Sequence, residues 1–394
     1  MQRDAAALKA ALADLEQRHL KRTRRLMPRD DLINFCSNDY LGLSSHPEVV
    51  RAFASTATRF GVGSGASHLV TGHNVEHEAL EAELAAFTGR ERALVYSTGY
   101  MANMGVIGAL ADQKALLVSD KLNHASLIDG CRLTGGDFRR YRHADSSHAA
   151  ELLTAPDSST DTRLLITDGV FSMDGDLAPL ADLARVAHDA KSWLIVDDAH
   201  ALGVIGATGR GTCEHFGLGA ADVPVLVGTF GKAFGTFGAF VAGDADLIEF
   251  LVQKSRTYIY TTAPPPAVAA ATRAALAVSQ KETWRREKVA ALARRFRERL
   301  AARGHSARLS PLSSPGAVTP IQPVILGDES RALAASHALE TRGFLVTAIR
   351  PPTVPAGTAR LRVTLSAAHE EGDVERLLNA LARAIGAVRT GGAA

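Results

Sequence analysis

Between residues 76 and 242 the chain alternates short, near-continuous apolar runs with longer helical segments, and few folds accept that pattern. The apolar runs cover 93–96, 115–118, 163–168, 193–197, 225–229 and 238–242. Helices are predicted over 76–87, 99–110 and 180–190. A strand that is apolar at successive positions, rather than at alternate ones, must be covered on both faces. That condition is met by a mostly parallel sheet with helices above and below it. The chain is therefore read as α/β.

The flanks carry other patterns. Leu8, Leu12 and Leu15 recur at helical spacing within 4–20, predicting an amphipathic N-terminal helix. Residues 34–42 read as a short strand ending in a turn. Past the sheet, an Ala- and Arg-rich segment over 267–303 predicts a long connecting helix broken near Glu282. A strand at 324–326, a helix at 332–341, a strand at 360–365 and a last helix predict a smaller α+β unit. With 394 residues the chain exceeds one ordinary core. The expected division is an N-terminal arm over 1–37, a large domain over 38–285 and a smaller C-terminal domain over 286–394.

Charge and cysteine usage narrow the function classes. The 44 basic and 42 acidic residues leave a formal charge of +2, so there is no electrostatic footprint for nucleic acid. No apolar run reaches the ~18 residues of a spanning helix, and no membrane partner is expected. The N-terminus lacks the apolar stretch of a signal peptide. Its basic residues Arg18, Lys21, Arg22, Arg24 and Arg25 read as a solvated helix face. Cys36, Cys131 and Cys213 show no metal-ligand spacing, and a sparse odd set suits a reducing cytosol. A cytoplasmic protein without a metal site is expected.

In a parallel sheet, ligands sit beyond the carboxyl ends of the strands. The polar residues there are Ser97 to Tyr100, Asp168 to Ser172, Asp197 to His200 and Thr229 to Lys232. Lys232 follows an apolar strand and is flanked by Gly231 and Gly235, which are expected to keep the backbone thin. Poor solvation lowers the pKa of an amine and makes it nucleophilic, as Schiff-base chemistry requires. Asp197 ends the preceding apolar run and could pair with a pyridinium nitrogen, while Asp198 would point to the opposite face. His200 could donate to a phenolate oxygen. Gly99 and Tyr100 open a helix whose free N–H groups suit a phosphate. His124 could stack on a flat ring, and Ser172 could hydrogen-bond beside it. Each has a plainer reading on its own: a surface lysine, a capping box, a helix cap, a turn residue.

Together these residues, in this order at successive strand ends, resemble the fold-type-I pyridoxal-phosphate (PLP) enzymes, and more narrowly the α-oxoamine synthases. The phrases that carry the resemblance are Ser37-Asn38-Asp39-Tyr40-Leu41-Gly42, Asp168 to Asp176, Asp197 to His200 and Thr229 to Gly235. It extends from about residue 18 to residue 380. Within that family, the phrase from Ala348 to Arg362 is similar to members of the biotin pathway. The resemblance implies PLP on Lys232, with Asp197 at the ring nitrogen, His200 and Ser172 near the ring oxygen, and His124 stacked over the ring. It implies a phosphate held by Gly99, Tyr100 and Thr229, with Thr262 reaching in from a second subunit of a homodimer. Arg362 would grip the amino-acid carboxylate, and Arg22, Asn38, His124 and Thr353 would lie near substrate. The implied reaction condenses L-alanine with a pimeloyl thioester and releases carbon dioxide. Sister synthases acting on glycine with acetyl-CoA or succinyl-CoA, and an aminotransferase on the same fold, are the alternatives. Two residues depart from the family pattern, Ala66 and Ala201, each where glycine is usual; small local shifts are expected there.

Overall fold

The computed structural model describes residues 5–18, 20–24, 26–27, 31–155, 160, 162–305 and 318–390. Strand β1 (Ile33–Asn34) stands apart from the main sheet. That sheet contains β2 (Arg92–Tyr96), β3 (Leu116–Asp120), β4 (Asp137–Tyr141), β5 (Arg163–Asp168), β6 (Trp193–Asp197), β7 (Val225–Thr229) and β8 (Ala239–Gly243). Their order across the sheet is β2-β8-β7-β6-β5-β3-β4. Strand β8 is antiparallel to both neighbours, and every other pairing is parallel. The α/β reading from apolar runs is borne out.

Double-sided burial is visible residue by residue. All five positions of β3 are buried. Leu117 enters one apolar layer with Ile107 and Leu127, whereas Leu116 and Val118 enter the other with Leu153 and Leu183. Burying each such side chain contributes about 1.5–3 kcal/mol, which is what drives helices onto both faces. Strand β4 was not expected from the sequence. It lies at the sheet edge, carries Asp137, Arg139 and Arg140, and buries only Tyr141. A charged edge strand lacks the apolar signal of an internal one.

Two further differences from expectation occur outside the sheet. The N-terminal helix forms over Ala5–Gln17, but it buries none of its residues, and Leu8, Leu12 and Leu15 remain exposed. The strand expected over 34–42 is confined to Ile33–Asn34, which pairs in parallel with β10 (Phe344–Leu345). The connecting segment breaks where expected, into the helices Pro266–Lys281 and Trp284–Leu300, and Glu282 at the break accepts a hydrogen bond from Arg285 Nε at 2.7 Å.

The smaller unit has β9 (Ile321–Gly327), β11 (Thr347–Ile349) and β12 (Ala359–Thr364) in the antiparallel order β11-β12-β9. Its core gathers Phe35, Phe296, Val324, Leu361 and Leu377. Polar bonds tie this unit to the rim of the main sheet. Thr319 Oγ1 donates to Gly175 O at 2.8 Å, and the buried Arg360 pairs with Asp174. Arg362 on β12 is thereby aimed at the carboxyl ends of the parallel strands. No helix among the described residues is long and apolar enough to cross a membrane.

Candidate active site

Strand β7 delivers Lys232 to the sheet rim. The loop after Thr229 folds back on itself through Phe230 N–H to Gly238 O at 2.9 Å and Thr229 Oγ1 to Gly238 O at 2.9 Å. At Gly235, φ is +66° and a Cβ would stand 2.3 Å from Ser44 N, so only glycine fits. Gly231 differs from expectation: a Cβ there would meet nothing closer than 3.7 Å, so its surroundings are open rather than tight. Burial pushes the Lys232 amine down to about 8; Asp197 and then Asp168 oppose this, and Arg362 adds to it.

The two carboxylates lie side by side, because Asp168 on β5 is in register with Asp197 on β6. Asp197 Oδ1 accepts from Ala199 N–H at 3.0 Å, and its Oδ2 accepts from Asn103 Nδ2 at 2.6 Å. Asp168 Oδ2 accepts the His124 N–H at 2.7 Å, and burial followed by the neighbouring Asp197 holds its pKa well above the usual carboxylate range. Asp198 turns to the other face, as strand alternation requires. It accepts from both Thr212 N–H (2.8 Å) and Thr212 Oγ1 (2.6 Å), away from Lys232.

A second polar chain closes the opposite side. Tyr40 Oη lies 2.6 Å from His200 Nδ1 and 3.3 Å from Asn38 Oδ1. Arg362 donates to that same Asn38 oxygen at 3.2 and 3.3 Å, and its Nε donates to Ser172 O at 2.6 Å. Burial, then the nearby Lys232, Arg362 and His124, drive the His200 pKa well down, so its ring is neutral. Burial raises Tyr40 to about 12 despite Arg362, so its hydroxyl keeps its proton.

The helix Gly99–Leu110 starts on this rim. Its cap Thr98 accepts from Met101 N–H, and no described hydrogen bond engages the Gly99 and Tyr100 amides. A Cβ on Gly99 would meet nothing within 4 Å. Two free first-turn amides beside open space form an anion cradle. The rim thus offers an enclosed amine, a buried carboxylate, an anion cradle and a guanidinium: the donor set that PLP and an amino-acid substrate require.

The family model for class I and II aminotransferases matches residues 30–381. The chain belongs to that family. It is 58% identical to the 8-amino-7-oxononanoate synthase of Methylococcus capsulatus over 386 residues, covering 95% of this chain and 97% of that one. Among solved structures it is similar to a serine palmitoyltransferase from S. paucimobilis with a bound PLP–myriocin aldimine, at TM-score 0.90 and 29% identity, covering 98% and 100% of the two chains. It is also similar to the 8-amino-7-oxononanoate synthase of Francisella tularensis, at TM-score 0.77 and 30% identity, covering 91% and 99%. The family resemblance drawn from the sequence, and with it the fold-type-I fold, is borne out.

Not every residue nominated for this aminotransferase-family site meets the others within one chain. Lys232, Asp197, His124, His200, Asn38, Ser172 and Arg362 belong to one hydrogen-bonded and electrostatic cluster. Arg22, Thr262 and Thr353 are exposed, and no described hydrogen bond joins them to it. Tyr40, Asn103, Ser126 and Asp168 join the cluster without having been nominated for a role. Ala201 and Ala66 keep ordinary φ, and Ala201 is fully buried against the large core, so neither added methyl strains the backbone.

A histidine group that the sequence reading passed over lies in the segment 68–77. His68, His73 and His77 offer nitrogens within 4.8 Å of one another. His77 Nδ1 accepts from Asn74 N–H at 3.0 Å, and its Nε2 donates to Pro264 O at 2.8 Å. With both nitrogens committed to backbone, His77 acts as a brace between the first turn of the helix Val75–Thr88 and the segment that leads into the helix Pro266–Lys281.

Proposed function

We propose that this chain joins L-alanine to a pimeloyl thioester with loss of carbon dioxide, giving 8-amino-7-oxononanoate, with PLP held covalently through Lys232 Nζ. The observation that carries the substrate assignment is 58% identity, over nearly the full length of both chains, to a protein bearing that product's name. The unpartnered Gly99 and Tyr100 amides and the buried Asp197 carboxylate support the cofactor.

When bound, PLP supplies an electron-poor ring that accepts the electron pair left on a substrate carbon. Asp197, a carboxylate held by Asn103 and Ala199, keeps a proton on the ring nitrogen. Gly99, Tyr100 and Thr229 would hold the phosphate, and His124 would cover the ring face. His200 and Ser172 would serve the ring oxygen. Lys232, with its amine lowered to about 8, is partly unprotonated near neutral pH and takes the α-proton of alanine. Arg362, steadied by Asn38 and Ser172, binds the alanine carboxylate. The segment from Arg350 to Arg362, with Thr353 and Arg22, forms the wall and mouth of the acyl channel. The active form is a cytoplasmic homodimer in which Thr262 serves the partner's phosphate site. Exposed apolar side chains such as Phe53 and Phe237 support the dimer, and three free cysteines support a reducing compartment.

The test is kcat/KM with pimeloyl, acetyl and succinyl thioesters at fixed L-alanine. One methyl distinguishes alanine from glycine by only ~0.8 kcal/mol, so the acyl side discriminates more strongly. The pimeloyl thioester is expected to exceed the other two at least tenfold. Equal rates would reject the substrate assignment, and ketoacid-dependent amine exchange in its place would make the chain an aminotransferase.

A further inference from the structure

Asn103 is 1% exposed and lies on the first turns of the helix Gly99–Leu110, 94 residues from Asp197 in the sequence. Its Nδ2 spends both hydrogens inside the site: one on Asp197 Oδ2 at 2.6 Å, the other on Ser126 Oγ at 2.9 Å. The amide orientation is dictated by charge. The reversed amide would press its oxygen against a carboxylate oxygen at that distance. Ser126 Oγ, already accepting from Asn103, has one hydrogen left to give. Its neighbour is His124 Nδ1 at 2.7 Å. The Ser126 backbone N–H points at the same nitrogen from 3.3 Å. His124 Nδ1 therefore accepts twice, and the proton of the neutral ring resides on Nε2.

We propose that Asn103 is a positioning residue that acts through one amide nitrogen on two partners at once. It donates to Asp197 Oδ2, fixing that carboxyl group in place, and, through Ser126, holds His124 in its Nε2–H tautomer. The proposal rests on the roles assigned above to Asp197 and His124, and it extends them. The ring nitrogen's partner and the ring face's cover are set by the same buried amide, so neither changes its proton without disturbing the other. Asn103 Oδ1 has no partner among the described residues, which leaves the amide anchored by its nitrogen alone.

The relay has two branches that separate by mutation. Ser126→Ala cuts only the branch to His124. Asn103→Asp preserves shape but removes both donors and sets a second carboxyl against Asp197. The full-length protein, labelled with ¹⁵N-histidine, reports the His124 tautomer with and without PLP, the signal being assigned by its loss in His124→Gln. Fluorescence titration gives the PLP affinity. The parent is expected in the Nε2–H form, and both variants in a mixture of tautomers. PLP affinity should fall at least tenfold in Asn103→Asp and stay within threefold in Ser126→Ala. Circular dichroism confirms that each variant is folded, and Ser126→Ala alone decides the His124 branch should Asn103→Asp unfold. An unchanged tautomer in Ser126→Ala, or equal loss of PLP affinity in both variants, overturns the relay. A parent that takes up no PLP, yet shifts tautomer when the relay is cut, supports the relay and overturns the functional reading instead.

Discussion

A lysine amine that ends up at about 8 is balanced between opposing forces, and Lys232 shows which of them wins. Burial disfavours the ammonium, and two carboxylates recover only part of the loss. Because its folded pKa lies below the ordinary value of 10.5, the group is released for covalent chemistry as pH rises through about 8 rather than above 10. Borohydride reduction with PLP, followed by peptide mapping, is expected to label Lys232, with a rate that rises along that lower curve. A label on another lysine would remove the basis of the site. The adjacent acidic pair gives a sharper contrast. Asp197→Asn should weaken PLP binding and abolish turnover, since Asn cannot hold a ring-nitrogen proton. Asp198→Asn should leave PLP bound but cost ~1–3 kcal/mol in denaturant melts, because its amide nitrogen would face one of the two Thr212 donors. Comparable loss of PLP binding in both variants would contradict that division. Strand alternation makes this contrast readable from the sequence. Asn103 and Ser126 were not readable, because their partners come from other elements and a buried Asn has no periodic signature. The pairing of Arg362 with Asn38 spans 324 residues, and only family resemblance brought both to notice.

Elements meet through a half-buried charged triad near the site. His143, just past β4, places Nδ1 3.0 Å from Asp120 at the end of β3 and Nε2 2.9 Å from Asp176 in the loop after β5. Burial works against the charged ring, but the two carboxylates outweigh it and carry His143 to about 10. The sign follows from the direction. A histidine raised above its ordinary 6.5 contributes stability that is complete below 6.5 and is lost as pH rises through about 10. His143→Gln should cost on the order of 2 kcal/mol at pH 6, as expected for losing charge-assisted hydrogen bonds in a half-buried site. The gap between parent and variant should close toward pH 10. Using the gap matters, because Lys232, with its lowered pKa, gives the parent an opposite slope between 8 and 10.5. A gap independent of pH would show that the triad is not charged. None of this was visible in the sequence, since β4 itself was missed. Its alternation is broken by charges that an edge strand tolerates, whereas β6 and β7 were read to the residue because each is a solid apolar run.

At the scale of the whole molecule, apolar side chains stay exposed in two places. A groove of about 380 Å³ is lined by Val49, Val50, Phe53, Phe237, Val268 and Ala271, and Phe53 and Phe237 are 46% and 54% exposed. The leucines of the N-terminal helix are uncovered as well. The proposed homodimer would bury this groove. A two-fold dimer covers such a patch with its own copy. If Thr262 acts across that interface, complementation can show it. Lys232→Ala kills the site built on its own chain but still lends Thr262 to its partner. Thr262→Glu keeps its own lysine but places a carboxylate where the partner's phosphate would bind. Each homodimer is then inactive. Random exchange makes half of all dimers mixed, and each mixed dimer holds one intact site, so activity should return to about a quarter of the parent's. Phe237→Glu should prevent the recovery by splitting the dimer, which sedimentation would report. No recovery in a mixture proven to contain mixed dimers would place Thr262 in its own chain's site, and an active Thr262→Glu homodimer would place it outside both. The quarter is specific to a shared site, because two self-contained sites would give no gain on mixing.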